Sequence, residues 1–216
     1  MSDDERKARQ AESQMIAEAL QAAGLDVSNI TDLVYTRDRY PQAIPVLLDL
    51  LPRVKDPLLR NGVARALAVR EARPIATRPL IREFIAAPVT SEAEKHTKWA
   101  IGMALGVTAD DSVFTEVLAL LGDKRHGWPR SGIVRGLANM KLNRERAIAA
   151  LIELLTDGDA GVQNQSFITL GRLRVKEARH LIEPFLRSKD SWVRQQAKRA
   201  LAKIDKAPAP SRKLDS

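Results

Sequence analysis

The sequence predicts an all-α protein: an α-solenoid of about five antiparallel helix pairs with N-terminal capping helices. Three observations carry this: a composition of closely packing residues, a leucine that returns about every 33 residues, and capping residues at a fixed distance before it. Hydrophobic residues make up 44% of the 216 but aromatics only 4%, a balance that favours close-packed helices over a β-sandwich. No cysteine is present, so disulfides and Cys-ligated metals are excluded, and a reducing, cytoplasmic setting is expected. No apolar run is long enough to span a bilayer, and the charged start MSDDERKARQ lacks the apolar stretch of a signal peptide. The formal charge of +8 points to an acidic partner, provided the charge is gathered on one face.

The repeat is anchored by Leu67, Leu105, Leu137, Leu170 and Leu201, with spacings of 38, 32, 33 and 31. A leading column, Leu51, Ile85, Leu121, Leu155 and Leu186, precedes it by 16, 20, 16, 15 and 15 residues. Each unit is therefore two helices, A then B, joined by a short turn that makes them antiparallel neighbours. Eleven residues before the anchor stand Asp56, Asp159 and Asp190, suited to cap the B helix, and Pro57 suits its first turn. Small residues flank the anchor, as in Ala66 and Ala68 or Gly136 and Ala138, and let helices approach closely. A unit of this length cannot bury its apolar face alone, and stacking completes it.

The ends differ from the repeats. Ser2 and Glu5 form a capping box for a first helix, whose face of Met15, Ile16, Ala19 and Leu20 covers the open end of the array. A short helix is expected within Asp26–Tyr40. The organisation read from this is N-terminal capping helices over 1–40 and a repeat array over 41–204. Its units fall at about 41–73, 74–110, 111–143, 144–176 and 177–204, before a disordered tail at 205–216.

The stretches AIPVLLDLLPRVKDPLLRNGVARALA (43–68), AIAALIELLTDGDAGVQNQSFITLG (147–171) and EPFLRSKDSWVRQQAKRALAKI (183–204) resemble the HEAT-repeat family of α-solenoids. Asp190-Ser-Trp-Val-Arg194 matches that family's turn signature, and Asp159–Gln163 keeps its Asp and Val with Gln for Arg. The resemblance covers about residues 41–204. It implies the fold strongly and the function weakly, because the family includes scaffolds, transport receptors and a few enzymes.

Advancing 100° per residue from the anchor leucine places one stripe of each B helix opposite helix A. In the resembling solenoids, the B layer lines the concave surface. The stripe holds no carboxylate; it carries Arg65, Arg135, Arg172, Arg199 and Lys203, and Trp128 and Trp192 each stand seven residues before an arginine. These seven are the candidate binding residues, although the two tryptophans also suit wedges between repeats. A second column, Arg60, Lys98, Arg130 and Arg194, faces inward and is expected to pair with turn carboxylates or carbonyls. Acidic residues concentrate on the A helices, at Asp49, Glu83, Glu116, Glu153 and Glu183. Two loops stand out: the longer A–B turn AAPVTSE (86–92), and GDKRHGWP (122–129), which sets Lys124, Arg125 and His126 beside Trp128.

Signatures of chemistry are missing. His96, His126 and His180 have no ligand spacing, so no metal is expected, and neither a phosphate loop nor a nucleophile elbow occurs, so no cofactor and no catalytic residue is assigned. The His-Glu pairs of the di-iron HEAT-like hydroxylases are absent. Alkylpurine DNA glycosylases, which are HEAT-like, share a basic groove with aromatics, but no aspartate lies on this outward stripe. The expected function is a non-enzymatic, cytoplasmic scaffold holding an acidic protein or peptide in a basic groove. Nucleic-acid binding is the alternative, with the arginines on phosphates and the tryptophans on bases.

Overall fold

The computed structural model describes residues 2–206, and among these every regular element is helical. Helices α1 (Asp3–Ala22) and α2 (Ile30–Tyr35) open the chain. Five pairs follow: α3 (Ala43–Arg53) with α4 (Pro57–Ala66), α5 (Arg73–Ala86) with α6 (Glu92–Thr108), α7 (Phe114–Gly122) with α8 (Ser131–Val134), α9 (Arg144–Glu153) with α10 (Ala160–Leu173), and α11 (Arg179–Ile182) with α12 (Ser191–Asp205). The second helices stack in succession, α2 on α4 and onward to α12, which makes a continuous B layer. In the A layer, α1 contacts α3 and α3 contacts α5. The capping helices thus extend both layers as one irregular extra pair.

The anchor leucines are all buried: Leu67, Leu105, Leu137, Leu170 and Leu201. The leading column is right at Leu51, Leu121 and Leu155, which are buried, and wrong at two positions. Ile85 is 57% exposed and Leu186 41% exposed. In α5 the neighbouring Phe84 turns inward instead, fully buried. In the last pair, a 3-10 segment at Glu183–Arg187, with Pro184 in its first turn, shifts the phase. Ile182 is then the buried residue, and Phe185 packs on Phe167 at 5.3 Å.

Capping follows the expected residues. Asp56, Asp159 and Asp190 each accept two backbone N–H bonds at the start of α4, α10 and α12. The capping box of Ser2 and Glu5 closes α1, and Asn29 with Asp32 closes α2 in the same way. In the longer turn before α6 the cap is Ser91, whose partner Glu94 also binds Thr90. Helix α1 is latched on by side chains: Arg9 pairs with Asp56 at 2.7 Å, and Glu12 accepts the Lys55 and Asp56 amides at 3.0 and 2.9 Å. Asp205, read from sequence as the start of the tail, instead ends α12; of the other tail residues, 207–216 lie outside the described part.

The inward basic column closes the A helices. Arg60 donates to the Leu51 carbonyl at 3.0 Å, Lys98 to Ala87 at 2.7 Å, and Arg130 to Leu121 at 2.8 Å. Gln163 donates to Leu155 at 2.6 Å, and Arg194 to Ser188 and Lys189 at 2.7 and 2.8 Å. Carbonyls at the end of a helix lack intrahelical partners, so a B-helix side chain that reaches them locks each pair together. Arg60 reaches further, to Glu83 of the next pair at 2.7 Å.

Arg130 does the same between the third and fourth pairs. Its fork grips Asp157 at 3.0 and 2.9 Å, with only 2% of Arg130 exposed. Lys124 is a further partner of Asp157, which also accepts the Asp159 amide. Burial alone would raise the Asp157 carboxyl, but the bonds from Arg130 and Lys124 overcome it and hold the group well below the usual carboxylate range. Asp111 adds a second tie, accepting the backbone amides of Lys141, Leu142 and Asn143.

Glycines set how closely the B helices approach. A β-carbon at Gly132 would lie 2.7 Å from both the Met103 nitrogen and the Trp99 oxygen of α6. One at Gly171 would lie 2.7 Å from the Ala200 α-carbon of α12. Both seams are backbone against backbone, so no side chain can be added there without moving a helix.

Candidate functional site

The solvent-facing stripe of the B layer begins at α2 and α4. The Arg65 guanidinium lies over the exposed ring of Tyr35, 5.7 Å from its centroid. A cation over a ring face is attracted by the ring's quadrupole. Tyr35, from the N-terminal helices, is a contributor that sequence reading left out, since the repeat register did not extend that far.

At the centre, three aromatic side chains gather. Trp128 meets His96 edge-on at 5.0 Å and Trp99 at 6.4 Å. Trp128 and Trp99 are partly buried, so Trp128 fills much of the wedge role between α6 and the start of α8. Trp99 is the other residue missed by sequence: it stands on α6, partly buried, and completes the cluster from the side.

The third B segment is not a continuous α-helix. It runs as 3-10 helix over Trp128–Arg130, α8, and 3-10 helix again over Arg135–Asn139. Pro129 in the first turn and the tight seam at Gly132 accompany this winding, and the 100° rule slips along it. Arg135 is consequently half-buried, its stem against Gly106. Burial first, and then the nearby positive charge of Arg172, lowers its pKa. The two guanidinium groups are neighbours with no carboxylate between them.

At the far end, Arg172, Arg199 and Lys203 are exposed, and Trp192 is 50% exposed. Trp192 and Arg199 are seven residues apart on α12, about 10 Å along its axis. The ion pairs of the described residues include none of Arg65, Arg135, Arg172, Arg199 or Lys203. Some cations elsewhere are matched: Arg53 to Asp49, Arg78 to Glu116, and Arg179 to Glu183 and Asp205.

The cations of the GDKRHGWP loop are paired, although Arg125 stays exposed. Lys124 is held by Asp157, Arg125 by Asp123, and His126 packs edge-on against Phe84 at 5.0 Å. Burial, then the charge of Lys98, lowers the His126 pKa. Among the described residues no group of three or more His, Asp or Glu is placed to hold a metal ion. No described helix is long and apolar enough to cross a membrane.

A family model described as HEAT repeats matches residues 148–214. Among solved structures, the chain is similar to a designed armadillo repeat protein, with TM-score 0.50 and 16% identity over 94% of this chain and 96% of that one. At that identity the likeness is one of fold. No curated protein matches the sequence. With the helix pairs and stacked B layer, these similarities define the fold class, an α-solenoid, whose stretch 148–214 is similar to HEAT repeats.

Proposed function

We propose that the protein is a non-enzymatic scaffold that holds an acidic protein or peptide along the solvent-facing stripe of its B layer. The observation that carries this reading is the gathering of Arg65, Arg135, Arg172, Arg199 and Lys203 along one stripe that holds no carboxylate, none of the five in an ion pair among the described residues. An acidic ligand supplies the missing anions. Arg65, Arg135, Arg172, Arg199 and Lys203 form charge-assisted bonds to it, and arginine does so bidentately. Trp192, with the more recessed Trp128, provides apolar anchors of the type that dominates interface energetics. Close stacking of the B helices supports placing that layer on the inner side of the array's curvature, where a partner meets several repeats at once.

The test is affinity purification from a lysate with the wild-type chain, Arg135→Glu/Arg172→Glu and Arg78→Glu as baits, read by mass spectrometry. The reading expects one or more acidic proteins retained by the wild type and by Arg78→Glu and lost from the double variant. Equal recovery by all three baits counts against the B face.

A further inference from the structure

The net charge is distributed unevenly along the array. Residues 2–56 hold seven Lys and Arg against ten Asp and Glu, whereas residues 171–206 hold eleven against four. The last pair and the segments leading into it therefore carry nearly all of the excess positive charge. Of the four carboxylates there, Asp190 caps α12, and Glu183 and Asp205 are both taken by Arg179. Arg187, Lys189, Lys198, Arg199 and Lys203 are exposed and make no ion pair among the described residues.

The placement of this charge differs from that of the B-layer stripe. On α12, Arg194 and Lys198 lie on one flank and Arg199 and Lys203 on the other, about 140° away around the helix. Val193, Ala197, Ala200, Leu201 and Ile204 face the core, so the apolar side of α12 is occupied. Positive charge thus wraps around the end of the array. Trp192 stands among these cations with half its surface in solvent.

We propose that α12 and the segment before it bind single-stranded nucleic acid, with flexible cations along the phosphodiester backbone and a base stacked on Trp192. A flexible polyanion can follow charge around a helix, whereas a peptide in the B-layer groove meets only the Arg199 and Lys203 flank. A membrane surface is disfavoured because an interfacial helix needs an apolar face free to insert, and that of α12 is buried. An exposed aromatic within a basic surface is the pairing that recognises unpaired bases. This site shares Trp192, Arg199 and Lys203 with the end of the proposed scaffold face and adds Arg187, Lys189 and Lys198, which that face does not use.

The test is fluorescence anisotropy of the full chain with a fluorescein-labelled 20-nucleotide oligothymidylate, beside a labelled polyglutamate of equal length. Four of these five cations engaged at once on a single strand give a log–log salt slope near ~3, so affinity should fall about 50-fold between 50 and 200 mM KCl. Arg187→Glu/Lys198→Glu, neither of which makes a bond to the rest of the described chain, should melt like wild type and bind at least about tenfold more weakly, with a slope lower by about 1.4. Lys198→Arg should bind as wild type, and Trp192→Ala should lose about tenfold. If the double variant misfolds, Lys189→Glu/Lys203→Glu replaces it with the same expectation. Any of three results overturns the proposal: no oligothymidylate binding at 50 mM KCl, polyglutamate binding as tight as oligothymidylate, or a loss with Arg65→Glu equal to that of the double variant.

Discussion

The B layer presents two kinds of polar column, one inward and one outward, built from overlapping residue types. Arg60, Lys98 and Arg130 turn inward and each donates to a carbonyl near the end of its own A helix, while Arg194 makes the equivalent bonds to Ser188 and Lys189 from an exposed position. Arg65, Arg135, Arg172 and Arg199 turn outward and form no ion pair among the described residues. A residue type alone therefore says nothing about role. Position relative to the anchor leucine decides whether a guanidinium meets orphan carbonyls or water.

Breaking the inward column should have the largest effect. Arg130→Ala leaves Asp157 buried with its fork removed, and loss of one partner of a buried pair costs about 3–5 kcal/mol. Urea denaturation should show this, and a loss below about 1 kcal/mol would mean water enters and replaces the fork. The same pair sets an acid limb. The Asp157 carboxyl is held below its ordinary value, so its contribution is complete above the unfolded value near ~4 and disappears as pH falls through the depressed folded one. Melting of Asp157→Asn should be weaker at neutral pH and flatter on acidification, whereas an unchanged acid limb would assign it to other groups.

A smaller or equal loss is expected at the anchor itself. Leu170→Ala removes a fully buried side chain and should cost about 2–5 kcal/mol in the same urea experiment. At the top of the pH range, Tyr40 gives a further check. Its hydroxyl donates to the Ala66 carbonyl at 2.9 Å, and burial, then the Glu71 charge, pushes its pKa up to about 12. The neutral form favours the folded state, so this contribution is complete below 10 and is lost as pH rises toward about 12. Tyr40→Phe should remove that step from the alkaline melting profile.

The outward column supplies the smallest effect and the sharpest contrast. Arg199→Glu is exposed and unbonded, so its stability should stay within ~0.5 kcal/mol of wild type. A loss as large as that of Arg130→Ala would erase the distinction between the two columns.

Much of this was legible in the sequence because it repeats. The anchor leucines, the three aspartate caps and the inward column all follow from a period near 33 residues, and the structure places them as that period requires. The failures have local causes. At Ile85 and Leu186 the register was keyed to an aliphatic residue, whereas a phenylalanine one place earlier turns in at Phe84 and 3-10 winding intervenes at Glu183–Arg187. At Trp128 and Arg135 the same winding spoils a rule that assumes an unbroken helix. The Arg130–Asp157 fork crosses from one pair to the next, and a comparison of equivalent positions within repeats is blind to such a link. For the candidate face, sequence gave the basic positions; Tyr35 and Trp99 needed the stacking of neighbouring helices to bring them in.

The ties between pairs are uneven, and this has a mechanical consequence. The third and fourth pairs are joined by the Asp157 fork and by Asp111, and α1 is latched at the front by Arg9 and Glu12. The last pair has its Arg179 bonds within itself and is joined to the fourth by packing, at the Gly171–Ala200 seam and between Phe167 and Phe185. An array with nearest-neighbour contacts opens from its weakest end. Pulled or warmed, this one would behave as a spring with a stiff middle and a clamped front, shedding its rear coil first while the centre keeps its pitch.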